Sequence, residues 1–202
     1  ERNPTYEPGV LLDRIVFRVI PEETTRMIEV QTGRVDMTAV PFAYIGEIRA
    51  APNLRVEKQE KRAYEYIAYN PDAHEFFADP DIRRALRLAI DLPVVISGLE
   101  MEEFAMPAGG PYSPIFRNLY DPAGQPVLPY DTVEASRILA DKGWRPGRDG
   151  ILERNGTRLS FTLVTNAENR RRIDVAQIVE RQWRRIGVEA RIQTLEFNTM
   201  ME

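Results

Sequence analysis

Segments typical of strands and helices alternate along the first sixty residues, and this order limits the possible fold more than any other feature. The strand candidates are rich in β-branched side chains, and the helix candidates carry apolar side chains at helical spacing. In chain order we expect a strand over 14–20, a helix over 22–34, a strand over 35–37, a helix over 41–51 and a strand over 54–60. This order favours part of an α/β sheet, with further strands needed from elsewhere to complete it.

The start of one helix in the middle of the chain is marked clearly. Asp79 suits the N-cap and Pro80 the first helical position. The apolar residues that follow at helical spacing predict a face buried in the core, namely Ile82, Ala85, Leu86, Ala89 and Ile90. Three arginines lie off this face, namely Arg83, Arg84 and Arg87. We interpret them as a solvated face rather than a nucleic-acid patch, because the chain has a net charge of −4.

The second half of the chain reads as a mixture of helices, strands and one long loop. The repeated Pro and Gly residues of 105–130 predict a loop without regular structure, and loops of this length are usually functional or linkers. Asn155-Gly156 predicts the turn of a β-hairpin. The other elements expected are a helix over 94–99, a helix over 131–142 capped by Asp131, a strand over 159–163, a helix over 168–186 and a strand over 188–194.

Residues 61–70 contain three tyrosines in a pattern that predicts a strand. Tyr64 and Tyr66 would point to one side, and Glu65, Ile67 and Tyr69 to the other. One interpretation is an ordinary buried strand of a sheet. The other is a tyrosine-lined wall of a binding cleft, because tyrosine combines a rigid apolar face with a polar tip.

Composition excludes several classes of function. There is no cysteine, so disulfides, thiol chemistry and cysteine-based zinc sites are excluded, and a single histidine, His74, excludes a histidine-rich metal site. His74 lies in a polar stretch and is interpreted as a surface residue. No nucleophile elbow, phosphate-binding loop or zinc-protease motif is present, so a hydrolase is only a hypothesis without positive support. No apolar run approaches the ~20 residues that cross a bilayer.

Several longer motifs follow one another in a fixed order. They are Arg2-Asn3-Pro4-Thr5-Tyr6; residues 12–21 followed by 25–26 and 31–36; residues 66–70 followed by 77–86 and 89–91; Tyr130-Asp131 with Ala135, Leu139 and 142–144; and residues 163–166 with 186–188. Together they resemble the solute-binding proteins of family 5, the peptide and nickel receptors of bacterial ABC importers. Leu92 departs from the arginine usual in the family, which removes only a surface contact.

The resemblance implies an α/β (mixed α+β) fold of the periplasmic-binding-protein-like type II class, present here in part. Residues 1–60 would belong to the sheet of lobe I, 61–196 would form most of lobe II, and 197–202 would return to lobe I. The crossings near 61–66 and 195–198 would be hinge strands. The chain starts at Glu1 without a signal segment, so we expect an interior to C-terminal-side piece of a longer protein that carries one wall of the cleft.

The resemblance also implies candidate ligand-binding residues on two stretches. The crossing strand would supply Arg62, Tyr64, Glu65 and Tyr66, and the loop after the 159–163 strand would supply Thr165, Asn166 and Arg170. An arginine there could hold a ligand carboxylate bidentately, with Arg171 and Arg172 as equal candidates. The alternative is that all three arginines are solvated at the start of a helix, although cations are unfavourable there.

The function implied is that of the substrate-binding component of a bacterial ABC importer. It would bind a peptide or similar small solute between its lobes and deliver it to the transmembrane permease subunits, as a monomer, without catalysis, cofactor, metal or nucleic acid. It would be periplasmic or extracellular, and a signal or lipid anchor outside this chain would attach it to the membrane. The alternative is the ligand-sensing domain of a transcriptional regulator, which would carry a DNA-binding helix-turn-helix upstream.

Overall fold

The computed structural model describes residues 12–61 and 63–201. The motif at residues 2–6 and the candidate site residue Arg62 therefore lie outside the described residues. The chain divides into two compact units, one ending at Lys58 and the other beginning at Gln59. Each unit is described by itself below.

The first unit is organised around two helices, α1 (Glu23–Gln31) and α2 (Ile45–Ala50), the second entered through a 3-10 turn at Phe42–Tyr44. The Glu22 carboxylate caps α1 by accepting the backbone N–H groups of Thr24 and Thr25, and these hydrogen bonds lower the pKa of Glu22 to about 2. The apolar faces of the helices meet through Met27, Val30 and Ile48, which are buried. Both helices were predicted from apolar spacing, and both are confirmed.

The strands expected in this unit do not form in the described chain. Residues 14–20, 35–37 and 54–60 carry no strand assignment, so the prediction of strands there is wrong. The physical reason is that a strand is completed by hydrogen bonds to a neighbour, and none of these segments has one. Phe17 and Val19 are about 90% exposed, as expected for strand-type side chains without a neighbour.

The second unit combines five helices with two small sheets among its described residues. The helices are α3 (Pro80–Leu88), α4 (Leu92–Ser97), α5 (Thr132–Asp141), α6 (Arg170–Arg184) and α7 (Phe197–Met201), and a 3-10 turn spans Glu75–Ala78. The strands are β1 (Arg145–Pro146), β2 (Leu152–Arg154), β3 (Thr157–Arg158), β4 (Ser160–Asn166) and β5 (Glu189–Leu195). Strands β1–β2–β3 form an antiparallel sheet, whereas β4 and β5 are parallel, in register from Ser160 opposite Glu189 to Asn166 opposite Leu195.

Local signals in the sequence account for the ends of these elements. The Asp79 and Asp131 side chains accept hydrogen bonds from the backbone N–H groups of Asp81 and Glu134, which confirms both predicted N-caps. Asn155 and Gly156 have φ values of 52° and 79°, which confirms the turn between β2 and β3. Residues 105–130 form the irregular loop that was expected.

The core of the second unit lies between α3, α5, α6 and the parallel strands. The whole predicted face of α3 is buried, from Ile82 to Ile90. Trp183 of α6 is fully buried against Phe161 of β4, and its indole N–H donates to the carbonyl of Leu86. Through Trp183, helix α6 therefore contacts both β4 and α3.

Several expectations for this unit need correction. Residues 61–70 form no strand among the described positions. Arg83 and Arg87 are not simply solvated, because their guanidinium groups donate to backbone carbonyls that flank α3, and that of Arg87 also donates to the carbonyl of Leu128 in the 105–130 loop. His74 is half-buried and stacks on Phe76 with ring centroids 5.0 Å apart, rather than lying on an open surface. The hinge strand expected near 195–198 ends at Leu195, and residues 197–201 form helix α7 instead.

Candidate ligand-binding wall

The candidate site lies where β4 ends and α6 begins. Thr165 and Asn166 are the last residues of β4, and both are buried. Because β4 and β5 are parallel, their carboxyl ends meet at one edge of the sheet. Ligands of open α/β sheets bind beyond this edge. The two predicted residues therefore lie where the architecture most often holds a ligand.

A single carboxylate on the 61–70 segment contacts two arginines of α6. Glu65 Oε1 accepts a hydrogen bond from Arg171 Nη2 at 2.7 Å, and Oε2 accepts one from Arg172 Nε at 3.0 Å. All three side chains are between a third and a half exposed. The pairing joins positions more than a hundred residues apart and ties the 61–70 segment to the start of α6.

Arg172 is also held by groups other than Glu65. Its Nη1 donates to Asn166 Oδ1 at 3.2 Å, and its backbone N–H donates to Asn169 Oδ1 at 3.1 Å. The Asn166 amide in turn donates to Glu168 at 3.4 Å. Since Asn166 is only 7% exposed, a buried side chain holds the Arg172 guanidinium in place. The Arg172 Nε contacts Glu65 instead, and the Arg172 side chain as a whole is 38% exposed.

Arg170, the arginine named as the ligand contact, lies apart from this arrangement. Its guanidinium pairs with Asp174, four residues along α6, at 2.9 Å, and its side chain is 80% exposed. The three cations at the start of α6 are thus compensated by Glu65 and Asp174. This compensation relieves their unfavourable interaction with the helix dipole. An anionic ligand is not required to explain their presence.

The tyrosines of the 61–70 segment divide between surface and core as the sequence predicts. Tyr64 and Tyr66 are 49% and 71% exposed, with ring centroids 5.3 Å apart. Ile67 and Tyr69 pack against the core, and burial raises the pKa of Tyr69 to about 12. The alternation predicted for a strand therefore holds without a strand, and it leaves an aromatic pair open to solvent.

Two features of this region were not found by reading the sequence. Asn169 is the N-cap of α6, whereas the helix was expected to start at Glu168. Ser113, in the 105–130 loop, donates a hydrogen bond to the carbonyl of Lys61 at 3.4 Å, so the loop touches the start of the 61–70 segment. The first could have been inferred from asparagine's preference for the N-cap. The second had no signal in the sequence.

Two open concavities among the described residues lie elsewhere. One, of about 760 Å³, is lined by charged side chains that include Asp79, Lys142 and Arg154. The other, of about 390 Å³, is mostly apolar and lies beside α4. Neither contains a predicted ligand-binding residue. Across residues 12–61 and 63–201 no group of three or more acidic or histidine side chains could hold a metal ion, and no helix is both long and apolar enough to cross a membrane.

Comparison with known proteins places the chain in a family. The model for bacterial extracellular solute-binding proteins, family 5 middle region, matches residues 1–202. The oligopeptide-binding protein AppA of Bacillus subtilis is 31% identical over all of this chain and 37% of its own length. Its structure in complex with a nonapeptide matches 91% of this chain and 36% of that one, with a TM-score of 0.78.

More distant relatives carry names with other ligands. Heme-binding protein A of Haemophilus influenzae is 26% identical over 92% of this chain and 32% of its own length. The structure of NikZ from Campylobacter jejuni in complex with Ni(L-His) is 21% identical and has a TM-score of 0.76 over 89% of this chain and 36% of that one, which shows a shared fold. The fold class expected from the sequence, the partial type II periplasmic-binding-protein architecture, is confirmed.

The chain spans little more than a third of the length of the relatives it matches. These comparisons give no support to the interpretation as the sensing domain of a transcriptional regulator. The match over all 202 residues and the similarity to AppA together show that the chain belongs to family 5 of the bacterial extracellular solute-binding proteins.

Proposed function

We propose that this chain is part of the substrate-binding component of a bacterial ABC importer, and that it supplies one wall of a peptide-binding cleft. The observation that carries the proposal is the similarity of the whole chain to an oligopeptide-binding protein. The full-length protein would bind its solute, deliver it to the permease and catalyse no reaction.

The candidate wall, made up of Tyr64 and Tyr66 with Thr165 and Asn166 behind them, suits a peptide better than a small compact solute. The exposed rings of Tyr64 and Tyr66 offer apolar faces to peptide side chains. Thr165 and Asn166, both buried at the end of β4, would support this wall from beneath, and Asn166 would do so by holding the Arg172 guanidinium. Arg62 belongs to the same proposal from its position in the sequence alone.

The rest of the assignment follows from the family and is also a proposal. The protein would work outside the cytoplasmic membrane as a monomer, attached to it by a signal or lipid anchor. It would contact the transmembrane subunits of the permease. The boundaries at residues 60 and 196 would be those between its lobes.

Calorimetric titration of the full-length protein tests this proposal. The protein is first freed of bound solute by unfolding and refolding, and is then titrated with a random tetrapeptide library, free amino acids, heme and nickel-histidine. We expect saturable heat with peptides. Replacing Tyr64 and Tyr66 together by Ala should weaken peptide binding by about tenfold, the effect of losing ~1.4 kcal/mol of aromatic contact.

The matched control is Tyr130→Ala, which removes another exposed tyrosine of the same unit that is not among the residues proposed for the wall. It should bind peptides as the unaltered protein does. Heat with heme or nickel-histidine alone would contradict the peptide proposal. Equal binding by the Tyr64/Tyr66 double variant and the control would contradict the assignment of the wall.

A further inference from the structure

We propose that Glu65 determines the specificity of this wall by occupying Arg171 and Arg172, and so makes it indifferent to whether a peptide ends in a free carboxylate. The proposal rests on the proposed function and deepens it. The substrate class it names is peptides whose carboxyl end is not clamped here, which leaves their length unrestricted at this wall.

The geometry of the Glu65 pair is that of a ligand carboxylate. Two guanidinium groups each bind one oxygen of one carboxylate, at 2.7 and 3.0 Å. Charge-assisted hydrogen bonds from arginine are a common means of recognising a carboxylate. Glu65 therefore takes the donors that a terminal carboxylate would need.

A free ligand would compete poorly with Glu65. The carboxylate is held on the chain, with Ile67 and Tyr69 packed into the core two and four residues later. A tethered group of this kind acts at an effective concentration in the millimolar range or above. A peptide present at micromolar concentration would therefore leave the internal pair in place.

Removing the Glu65 charge should convert the wall into a carboxylate site. Arg172 would keep its position, because Asn166 and the N-cap Asn169 hold it independently of Glu65. Its Nε, no longer bonded to a carboxylate and carried by a side chain that is 38% exposed, would then be available to a ligand. Arg170 is not expected to bind a peptide carboxylate in the unaltered protein, because its guanidinium pairs with Asp174.

The test is competitive capture of peptides by the full-length protein. A random tetrapeptide library with free carboxyl ends is mixed with an equal amount of the same library in amidated form, and captured peptides are counted by mass spectrometry. The unaltered protein should capture both forms within about twofold. Glu65→Gln should favour the free acids by about tenfold or more, the selectivity expected of one charge-assisted contact.

Two further variants locate the effect. Adding Arg171→Gln and Arg172→Gln to Glu65→Gln should return the ratio to within about twofold, as an arginine-borne preference requires. Glu134→Gln is the matched control, because it removes a carboxylate paired with an arginine on α5, and it should behave as the unaltered protein. If Glu65→Gln does not fold, Glu65→Ala takes its place, and a folded Glu65→Ala protein that shows no preference for free acids would refute the inference.

The outcomes separate this inference from the proposed function. Capture of neither library by the unaltered protein would overturn the peptide proposal and the inference with it. Capture with a strong preference for free acids, or a Glu65→Gln variant that still shows none, would overturn the inference alone.

Discussion

Replacing Trp183 by Phe tests how α6 is joined to α3 in the core of the second unit. The indole N–H of Trp183 donates to the carbonyl of Leu86 at 2.8 Å. This carbonyl lies in the last turn of α3, where Ala89 and Ile90 donate instead to Ala85 and Arg87. Trp183 thus satisfies a carbonyl that the helix end leaves without an intrahelical partner.

The cost of the substitution has two parts. Leaving a buried carbonyl without its donor costs about 1–3 kcal/mol. The smaller ring adds a packing loss, which brings the expected total to about 2–4 kcal/mol. Trp183 is fully buried, so solvent does not replace the donor.

Trp144→Phe is a matched control in the same unit. Trp144 is 1% exposed, and among the described residues its indole nitrogen is the one buried side-chain polar atom without a hydrogen-bond partner. Phe keeps an aromatic ring for Phe76 and for the guanidinium of Arg154, which lies 4.8 Å from the ring centre. The packing loss should be similar, but no hydrogen bond is lost.

Urea unfolding of the two variants of the full-length protein measures the difference. Trp183→Phe should lower the free energy of unfolding by about 1–3 kcal/mol more than Trp144→Phe, at an unchanged dependence on urea. Hydrogen exchange should show faster opening around residues 86–90 in the first variant only. Equal destabilisation would refute the role given to this hydrogen bond.

Three further predictions concern local stability. Asp131→Ala should lower the free energy of unfolding by about 1 kcal/mol through loss of the α5 cap; an unchanged urea midpoint would contradict it. The Lys142 ammonium forms ion pairs with Asp79 and Asp81, and the pairing lowers the pKa of Asp79. The stability that this pairing adds to the folded state is therefore fully present above the ordinary carboxyl pKa, and it is lost as the pH falls through the lowered pKa. Lys142→Met should therefore reduce the urea midpoint at neutral pH, and the difference between the two proteins should shrink as the pH falls below the ordinary carboxyl range; a constant difference would argue against this pairing. Gly156→Ala should lower the free energy of unfolding by about 1 kcal/mol, because the φ angle of 79° strains alanine even though no atom lies near the added methyl group. Gly46→Ala, within α2, also meets no atom but has no such strain, so it should be neutral or stabilising. Equal urea midpoints for the two variants would contradict this reasoning.

Features set by neighbouring residues could be predicted from the sequence. The caps at Asp79 and Asp131 and the turn at Asn155-Gly156 depend on a few adjacent side chains, and the structure contains all three. The buried face of α3 follows from spacing along one helix. Strands are different, because they need a partner elsewhere in the chain. The side chains of 14–20 and 54–60 favour a strand, but without a hydrogen-bonded neighbour in the described chain the strand does not form.

The candidate site shows the same division between local and distant information. The alternation of the 61–70 segment placed Tyr64 and Tyr66 on one side and Tyr69 on the other, and in the structure the first two are exposed and Tyr69 is partly buried against the core. The three adjacent arginines could not be ranked, because their directions differ by about 100° around the helix and their partners are set by the fold. Glu65, more than a hundred residues away, selects Arg171 and Arg172, while Arg170 is taken by Asp174.

Native mass spectrometry of the full-length protein, purified gently from its host, tests the proposed function most directly. A solute-binding protein for peptides should carry a mass excess that is released on unfolding and fragments as a mixture of peptides. The amount of bound peptide should fall when Tyr64 and Tyr66 are both replaced by Ala, and should be unchanged in Tyr130→Ala. A bound mass that fragments as heme or as a nickel chelate, or a protein that carries no solute and binds no added peptide, would contradict the proposed function.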